Sequence, residues 1–111
     1  MRILILDDRE VRHDYFRDLY KDHNLTHVYT SKECIEQLQT NSFDVVSLDH
    51  DLGDQEMVKS GPNTGYEVAL WLKENQDKQP RIIFLHSLNS VGRKNMKFVL
   101  PNAIEDPCFE C

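Results

Sequence analysis

Three short polar clusters carry the residues able to do chemistry, and each closes an apolar run. Asp7 and Asp8 follow Arg2-Ile3-Leu4-Ile5-Leu6. Asp49, His50 and Asp51 follow Val45-Val46-Ser47-Leu48, and His86, Ser87 and Asn89 follow Arg81-Ile82-Ile83-Phe84-Leu85. Carboxylates and imidazoles in this mixture hold divalent cations and move protons, while hydroxyl and amide neighbours contact phosphate oxygens. Taken singly, an Asp at a strand end is ordinarily a helix cap or a turn residue. Several carboxylates sharing one crevice repel one another, and a cation with hard oxygen ligands, Mg²⁺ or Mn²⁺, relieves that repulsion. Such a cation takes further ligands, and phosphate oxygens suit it.

His50, between two aspartates, is expected to have its protonated form favoured, which fits a general acid or a donor to a phosphate oxygen. His86 reads either as a satisfied core residue or, with Ser87 and Asn89 beside it, as a phosphate-contacting group. His13, His23 and His27 fall on helix or loop positions away from the strand ends and read as surface residues.

The elements that must position these clusters follow from periodicity. Apolar runs without alternation that end in polar residues read as buried parallel strands delivering their chemistry at the carboxyl edge. That edge is where open α/β sheets place ligands. Residues 9–21 predict an amphipathic helix with Val11, Tyr15, Phe16 and Leu19 inward, followed by a strand over Leu25–Tyr29. Thr30 with Glu33 forms a capping box for a helix whose Ile35 and Leu38 face the core, ending near Gln39. Phe43–Leu48 is the third strand. A polar loop, Asp54–Asn63, closes on Gly61-Pro62 and is placed to cover a ligand.

Thr64 with Glu67 predicts a second capping box, opening a helix through Tyr66, Val68, Ala69, Trp71 and Leu72 to Asn75. After a linker over Gln76–Pro80 and a strand over Arg81–Leu85, residues 90–100 form a helix through Val91, Met96 and Val99, stopped by Pro101. Asn102–Glu105 supplies a short fifth strand. The alternation makes residues 1–111 one α/β domain, a three-layer sandwich with a parallel sheet and helices on both faces.

Composition bounds the partners. At 111 residues and 40% hydrophobic content the chain supports one core. A net charge of −6 speaks against a broad clamp on the phosphate backbone of duplex nucleic acid. No apolar run approaches the roughly 20 residues that span a bilayer, and the start turns acidic at Asp7 too soon for a signal peptide. A soluble cytoplasmic protein with no membrane partner is expected. Cys34, Cys108 and Cys111 lack zinc spacing; Cys34 reads as packing, and the C-x-x-C of the tail as chance.

The acidic pair after the first strand, Asp49 after the third and a polar residue after the fourth resemble the receiver domains of two-component response regulators. That resemblance covers nearly the whole chain. It implies a flavodoxin-like fold with a five-stranded parallel sheet, the last helix missing, and Mg²⁺ held by Asp7, Asp8 and Asp49, with Asp49 as the phosphorylated residue. Two departures stand out. His86 occupies the place of a receiver's Ser or Thr, unless Ser87 takes that role, and Asp106-Pro107 stands where receivers carry Lys-Pro.

The strings Leu48-Asp49-His50-Asp51-Leu52-Gly53 and His86-Ser87-Leu88-Asn89 are similar to a divergent branch of that superfamily, the cyclic-phosphate processing receiver-like domains. This resemblance implies a metal-dependent phosphoesterase acting on a cyclic phosphate of a nucleotide, an RNA end or an ADP-ribose derivative. Asp7, Asp8 and Asp49 would hold Mg²⁺ or Mn²⁺; Asp49, His50 and His86 would be catalytic; Asp51, Ser87 and Asn89 would bind substrate. Asp49 as direct nucleophile and Asp49 as metal ligand both remain open. So do two other classes: a module that sequesters a cyclic nucleotide-type messenger, and an atypical receiver phosphorylated on Asp49.

Overall fold

The computed structural model describes residues 1–53, 55 and 57–107. Its strands are β1 (Arg2–Leu6), β2 (Asn24–Val28), β3 (Val45–Leu48), β4 (Ile82–Leu85) and β5 (Ile104–Glu105). Its helices are α1 (Glu10–Leu19), α2 (Ser31–Thr40), α3 (Gly65–Glu74) and α4 (Ser90–Val99), with a single 3₁₀ turn at Gln76–Lys78. All pairings are parallel and the strand order is β2-β1-β3-β4-β5, the flavodoxin-like order whose switch point lies between β1 and β3. No helix among the described residues is long and apolar enough to cross a membrane.

The apolar runs are continuous because both faces of the central strands are covered. Leu4, Leu6, Val46, Leu48 and Leu85 pack under α2, α3 and α4 against Leu38, Val68, Leu72 and Met96. Ile3, Ile5 and Val45 pack on the opposite face against Phe16 of α1. Each fully buried side chain of this kind contributes about 1.5–3 kcal/mol, so the three-helix face supplies most of the hydrophobic stabilisation. No helix follows β5 among the described residues.

Register sets the site. Leu6 pairs with Val28 and Leu48, Leu48 with Leu85, and Leu85 with Glu105. The ladder runs one residue further: Asp7 N–H donates to Val28 O at 3.2 Å, Asp49 N–H to Leu6 O and His86 N–H to Leu48 O at 3.0 Å, and Asp106 N–H to Leu85 O at 2.8 Å. Asp7, Asp49, His86 and Asp106 therefore form the next row across the carboxyl edge. Strand alternation turns that row toward the α1 side, in line with Ile5, Ser47 and Phe84 two residues earlier.

Several expectations are corrected. On α1 the buried residues are His13 and Phe16, while Val11 and Leu19 are exposed. Both stripes run at helical spacing. Phe16 and the half-buried Tyr15 face the sheet as expected, and His13 and Arg12 turn inward beside Phe16 because the sheet edge beneath them presents a backbone carbonyl and two carboxylates that need donors. His13 is thus a core residue: its Nε2 meets Asp7 O at 2.9 Å and its Nδ1 meets His27 Nδ1 at 2.6 Å. His27 is half-buried on β2 rather than in a surface loop, and His23, also half-buried, meets the chain's amino terminus through its Nδ1.

On α4 Val91 is exposed, and Gly92 and Met96 face inward. The capping box of Thr30 and Glu33 forms, but that of Thr64 and Glu67 does not. Thr64 accepts from Tyr66 N–H, while the Glu67 carboxylate accepts from Ser31 Oγ at 2.6 Å and tethers α2 to α3. Cys34 is buried, and burial pushes its thiol pKa far up, in keeping with a packing role. Cys108 and Cys111 lie outside the described residues.

Candidate functional site

The aligned row gathers Asp7, Asp49 and His86 into one buried group whose donor atoms lie within 4.8 Å of one another. Asp7 also does the ordinary work of a strand-end Asp, its Oδ1 accepting from Arg9 N–H at 2.9 Å to close the turn into α1. Its Oδ2 meets His86 Nε2 at 2.8 Å. His86 Nδ1 meets Ser47 Oγ at 2.7 Å, and its ring packs against Phe16. Asp49 accepts from His50 N–H through Oδ1. One guanidinium nitrogen, Arg12 Nη1, lies 3.3 Å from Asp7 Oδ2 and 3.2 Å from Asp49 Oδ2.

These contacts divide the two acids. Burial works to raise the pKa of Asp7, but the His86 hydrogen bond and charge, the Arg9 amide and Arg12 outweigh it and hold the carboxyl below its usual value. Asp49 is pushed up to about 6, first by burial and then by the charge of Asp7, against the pull of His86 and Arg12. The pair behaves as like charges in a dry place do.

The donor set fits a divalent cation. Two carboxylates and an imidazole converge, and the second nitrogen of that imidazole is held by Ser47, the arrangement that orients metal-ligating histidines. Asp8 is not in the tight group; it lines the cavity above. That cavity holds about 220 Å³ and is walled by Asp8, Arg12, Asp49, Asp51, Ser87 and Asn89 among others. A second cavity of about 400 Å³, also touching Asp8, extends along Tyr29, Lys32 and Gly53.

His50 turns to the other side of the sheet. Its ring is fully buried, with Nδ1 2.7 Å from Asp51 Oδ1 and Nε2 2.9 Å from Ser60 Oγ. Asp51 Oδ1 also accepts from Asn89 Nδ2 at 3.0 Å, and Asp51 Oδ2 from Met57 N–H at 2.7 Å. Burial opposes ionisation of Asp51, yet the His50, Asn89 and Met57 bonds outweigh it and lower the pKa. Asn89 caps α4 through Gly92 N–H, and Ser87 Oγ accepts from Asn89 N–H. Asp51, Ser87 and Asn89 face the cavity, whereas the His50 ring reaches it through Asp51 and Asn89, its Nδ1 lying 2.7 Å from Asp51 Oδ1 and 3.5 Å from Asn89 Nδ2.

Two glycines make this packing possible. A Cβ on Gly65 would stand 1.8 Å from Asp49 O, and one on Gly92 would stand 2.4 Å from Cγ of His50. Sequence reasoning passed over both, along with Arg12, Ser47 and Ser60. An isolated glycine inside a helical pattern, as at Gly92, was the available signal. Nothing at short range marks Arg12, which looks like any solvated helix charge.

The structure resembles response-regulator receivers. It superposes on TrrA of Thermotoga maritima, solved with Mg²⁺ and BeF, with a TM-score of 0.76 at 17% identity, covering 98% of this chain and 88% of that one. A phosphorylated cyanobacterial phytochrome response regulator, RcpA, gives a TM-score of 0.77 at 14% identity, covering 98% and 81%. A CheY-like receiver from Methanospirillum hungatei gives 0.73 at 15%, covering 99% and 82%. These likenesses establish the receiver fold. Residues 1–102 match the model of the cyclic-phosphate processing receiver domain, and the chain belongs to that family. No curated protein matches the sequence.

Proposed function

We propose that the protein is a metal-dependent phosphoesterase that opens a cyclic phosphate of a nucleotide, an RNA end or an ADP-ribose derivative. The observation that carries this reading is the buried group Asp7, Asp49 and His86 directly beneath a cavity walled by Arg12, Ser87 and Asn89. Asp7, Asp49 and His86 hold the cation, and Asp8 adds negative charge at the rim. An imidazole in the set favours Mn²⁺ over the all-oxygen preference of Mg²⁺. The cation, when bound, supplies stabilisation for the negative charge that develops on the phosphoryl oxygens.

The chain's own groups do the rest. Ser87 and Asn89 orient the phosphate by hydrogen bonds. Asp51, kept ionised by its partners, accepts the proton of the attacking water, and His50 holds Asp51 in place through its Nδ1. The new bond joins water oxygen to phosphorus, the ester bond to one sugar oxygen breaks, and that oxygen takes up the proton that Asp51 accepted, which restores the carboxylate. Phosphorus NMR of 2′,3′-cyclic nucleotides, 3′,5′-cyclic nucleotides and ADP-ribose cyclic phosphate with Mn²⁺ tests the reading. Conversion to a monoester that stops with Asp49→Asn supports it. Intact substrate whose signal broadens points to sequestration instead.

A second reading, a receiver phosphorylated on Asp49, draws support from the position of that carboxylate on the cavity wall at the end of β3. Against it, Asp106 puts an anion at the end of β5, where it raises the pKa of Tyr20, second to burial, instead of presenting a cation to a phosphoryl group. Failure of a small phosphodonor to label Asp49 removes this reading.

A further inference from the structure

We propose that Arg12 is a built-in counter-ion which a divalent cation must displace, and that the displaced guanidinium then binds the phosphoryl group. The proposal rests on the reading that the site takes a cation and a phosphate.

Three observations carry it. First, Arg12 Nη1 contacts one oxygen of Asp7 and one of Asp49, two of the three residues able to hold the cation, and the Asp7 oxygen is also the one facing His86. A guanidinium and a divalent ion against the same two carboxylates would set two cations side by side where the acids are no more than 2% exposed and Arg12 only 12%. In so dry a place like charges separate, and binding becomes exchange.

Second, Arg12 is the third residue of α1, whose capping residue is Arg9. Arginine in the first turn opposes the positive end of the helix dipole. Helix stability alone therefore does not account for it; the acid pair beneath does. Third, Arg12 lines the 220 Å³ cavity together with Ser87 and Asn89, so a guanidinium leaving the acids has the phosphate site as its neighbour. Its planar fork matches phosphate oxygens. In the cation-free protein Arg12 suppresses the repulsion of Asp7 and Asp49; in the loaded protein it recruits substrate, which couples the two binding events.

The test is calorimetry of Mn²⁺, and of inorganic phosphate added to the Mn²⁺-loaded protein, for the wild type, Arg12→Gln and Arg12→Lys. Arg12→Gln is expected to bind Mn²⁺ about tenfold more tightly and phosphate about tenfold more weakly, the order of ordinary coupling between sites. Arg12→Lys falls between. Melting guards against misfolding: Arg12→Gln should melt lower than wild type without Mn²⁺ and gain more on its addition. Unchanged or weaker Mn²⁺ binding in Arg12→Gln makes Arg12 a fixed clamp and overturns the proposal, as does unchanged phosphate affinity. Exchange without turnover of any cyclic phosphate upholds Arg12's role and removes the hydrolase; turnover with Mn²⁺ affinity indifferent to Arg12 does the reverse.

Discussion

His86 and His50 sit at the same sheet edge and are held by different physics. His86 continues the β4 ladder, and its ring is fixed between Ser47 of the neighbouring strand and Asp7 two strands away. His50 lies one residue beyond the β3 row, on the opposite side, where Asp51, Ser60 and the backbone of Gly92 hold it. The first histidine is set by strand register and the second by a loop folded onto a helix. Backbone pairing leaves little freedom at His86, whereas a side-chain network tunes Asp51, the carboxylate that lines the cavity.

The sharpest way to break this contrast is substitution. Asp49→Asn and His86→Ala should lower cyclic-phosphate turnover on the order of a thousandfold. Both should lose Mn²⁺ affinity by calorimetry. His50→Ala should cost only roughly 10–100-fold in turnover, as supporting contacts do, and leave Mn²⁺ affinity near the wild type. Equal loss of Mn²⁺ binding in the two histidine variants would erase the distinction.

Titration separates the sides next. The unfolded carboxyl of Asp49 has its pKa at 3.8 and the folded one at about 6, so between these values the folded protein holds the extra proton. The stability that Asp49 contributes is therefore greatest below 3.8 and falls as pH rises to about 6, by up to about 3 kcal/mol. Asp7 runs the other way: its lowered pKa gives stability above the usual carboxylate range that is lost as pH falls through its folded value. Urea denaturation of the metal-free protein from pH 4 to 7 should show the gap between Asp49→Asn and wild type widening in the variant's favour. A constant gap would refute the assignment.

The glycines test the packing. Gly65→Ala drives a Cβ into the Asp49 carbonyl and should cost at or above the top of the roughly 1–3 kcal/mol range for overpacking. Gly92→Ala drives a Cβ into the buried His50 ring, which is held by Asp51 and Ser60, and should cost within that range, less than the backbone clash at Gly65. Thr30→Ala, which removes only the cap of α2, should cost about 1 kcal/mol in thermal melts. It should leave Mn²⁺ binding untouched.

Much was legible in the chain itself. Short unbroken apolar runs, rich in β-branched residues and ending in polar clusters, read as buried strands, and Thr30 with Glu33 announces a helix start through chemistry confined to four residues. Local pattern alone thus determined the alternating elements, the parallel sheet and the polar residue types at three strand ends. It placed Phe16 and Tyr15 of α1 on the inward face but did not determine which neighbours join them, since Val11 and Leu19 satisfy the helical period as well as His13 does. Nor did it place Arg12 between Asp7 and Asp49, or His86 beside Ser47. Those facts depend on strand register and on how a helix lies across the sheet, and both are settled by contacts between different elements of the chain, such as Arg12 with Asp49 and Ser47 with His86. Burial decided the rest: two acids, an imidazole and a guanidinium acquire shared chemistry only when the sheet edge removes them together from water.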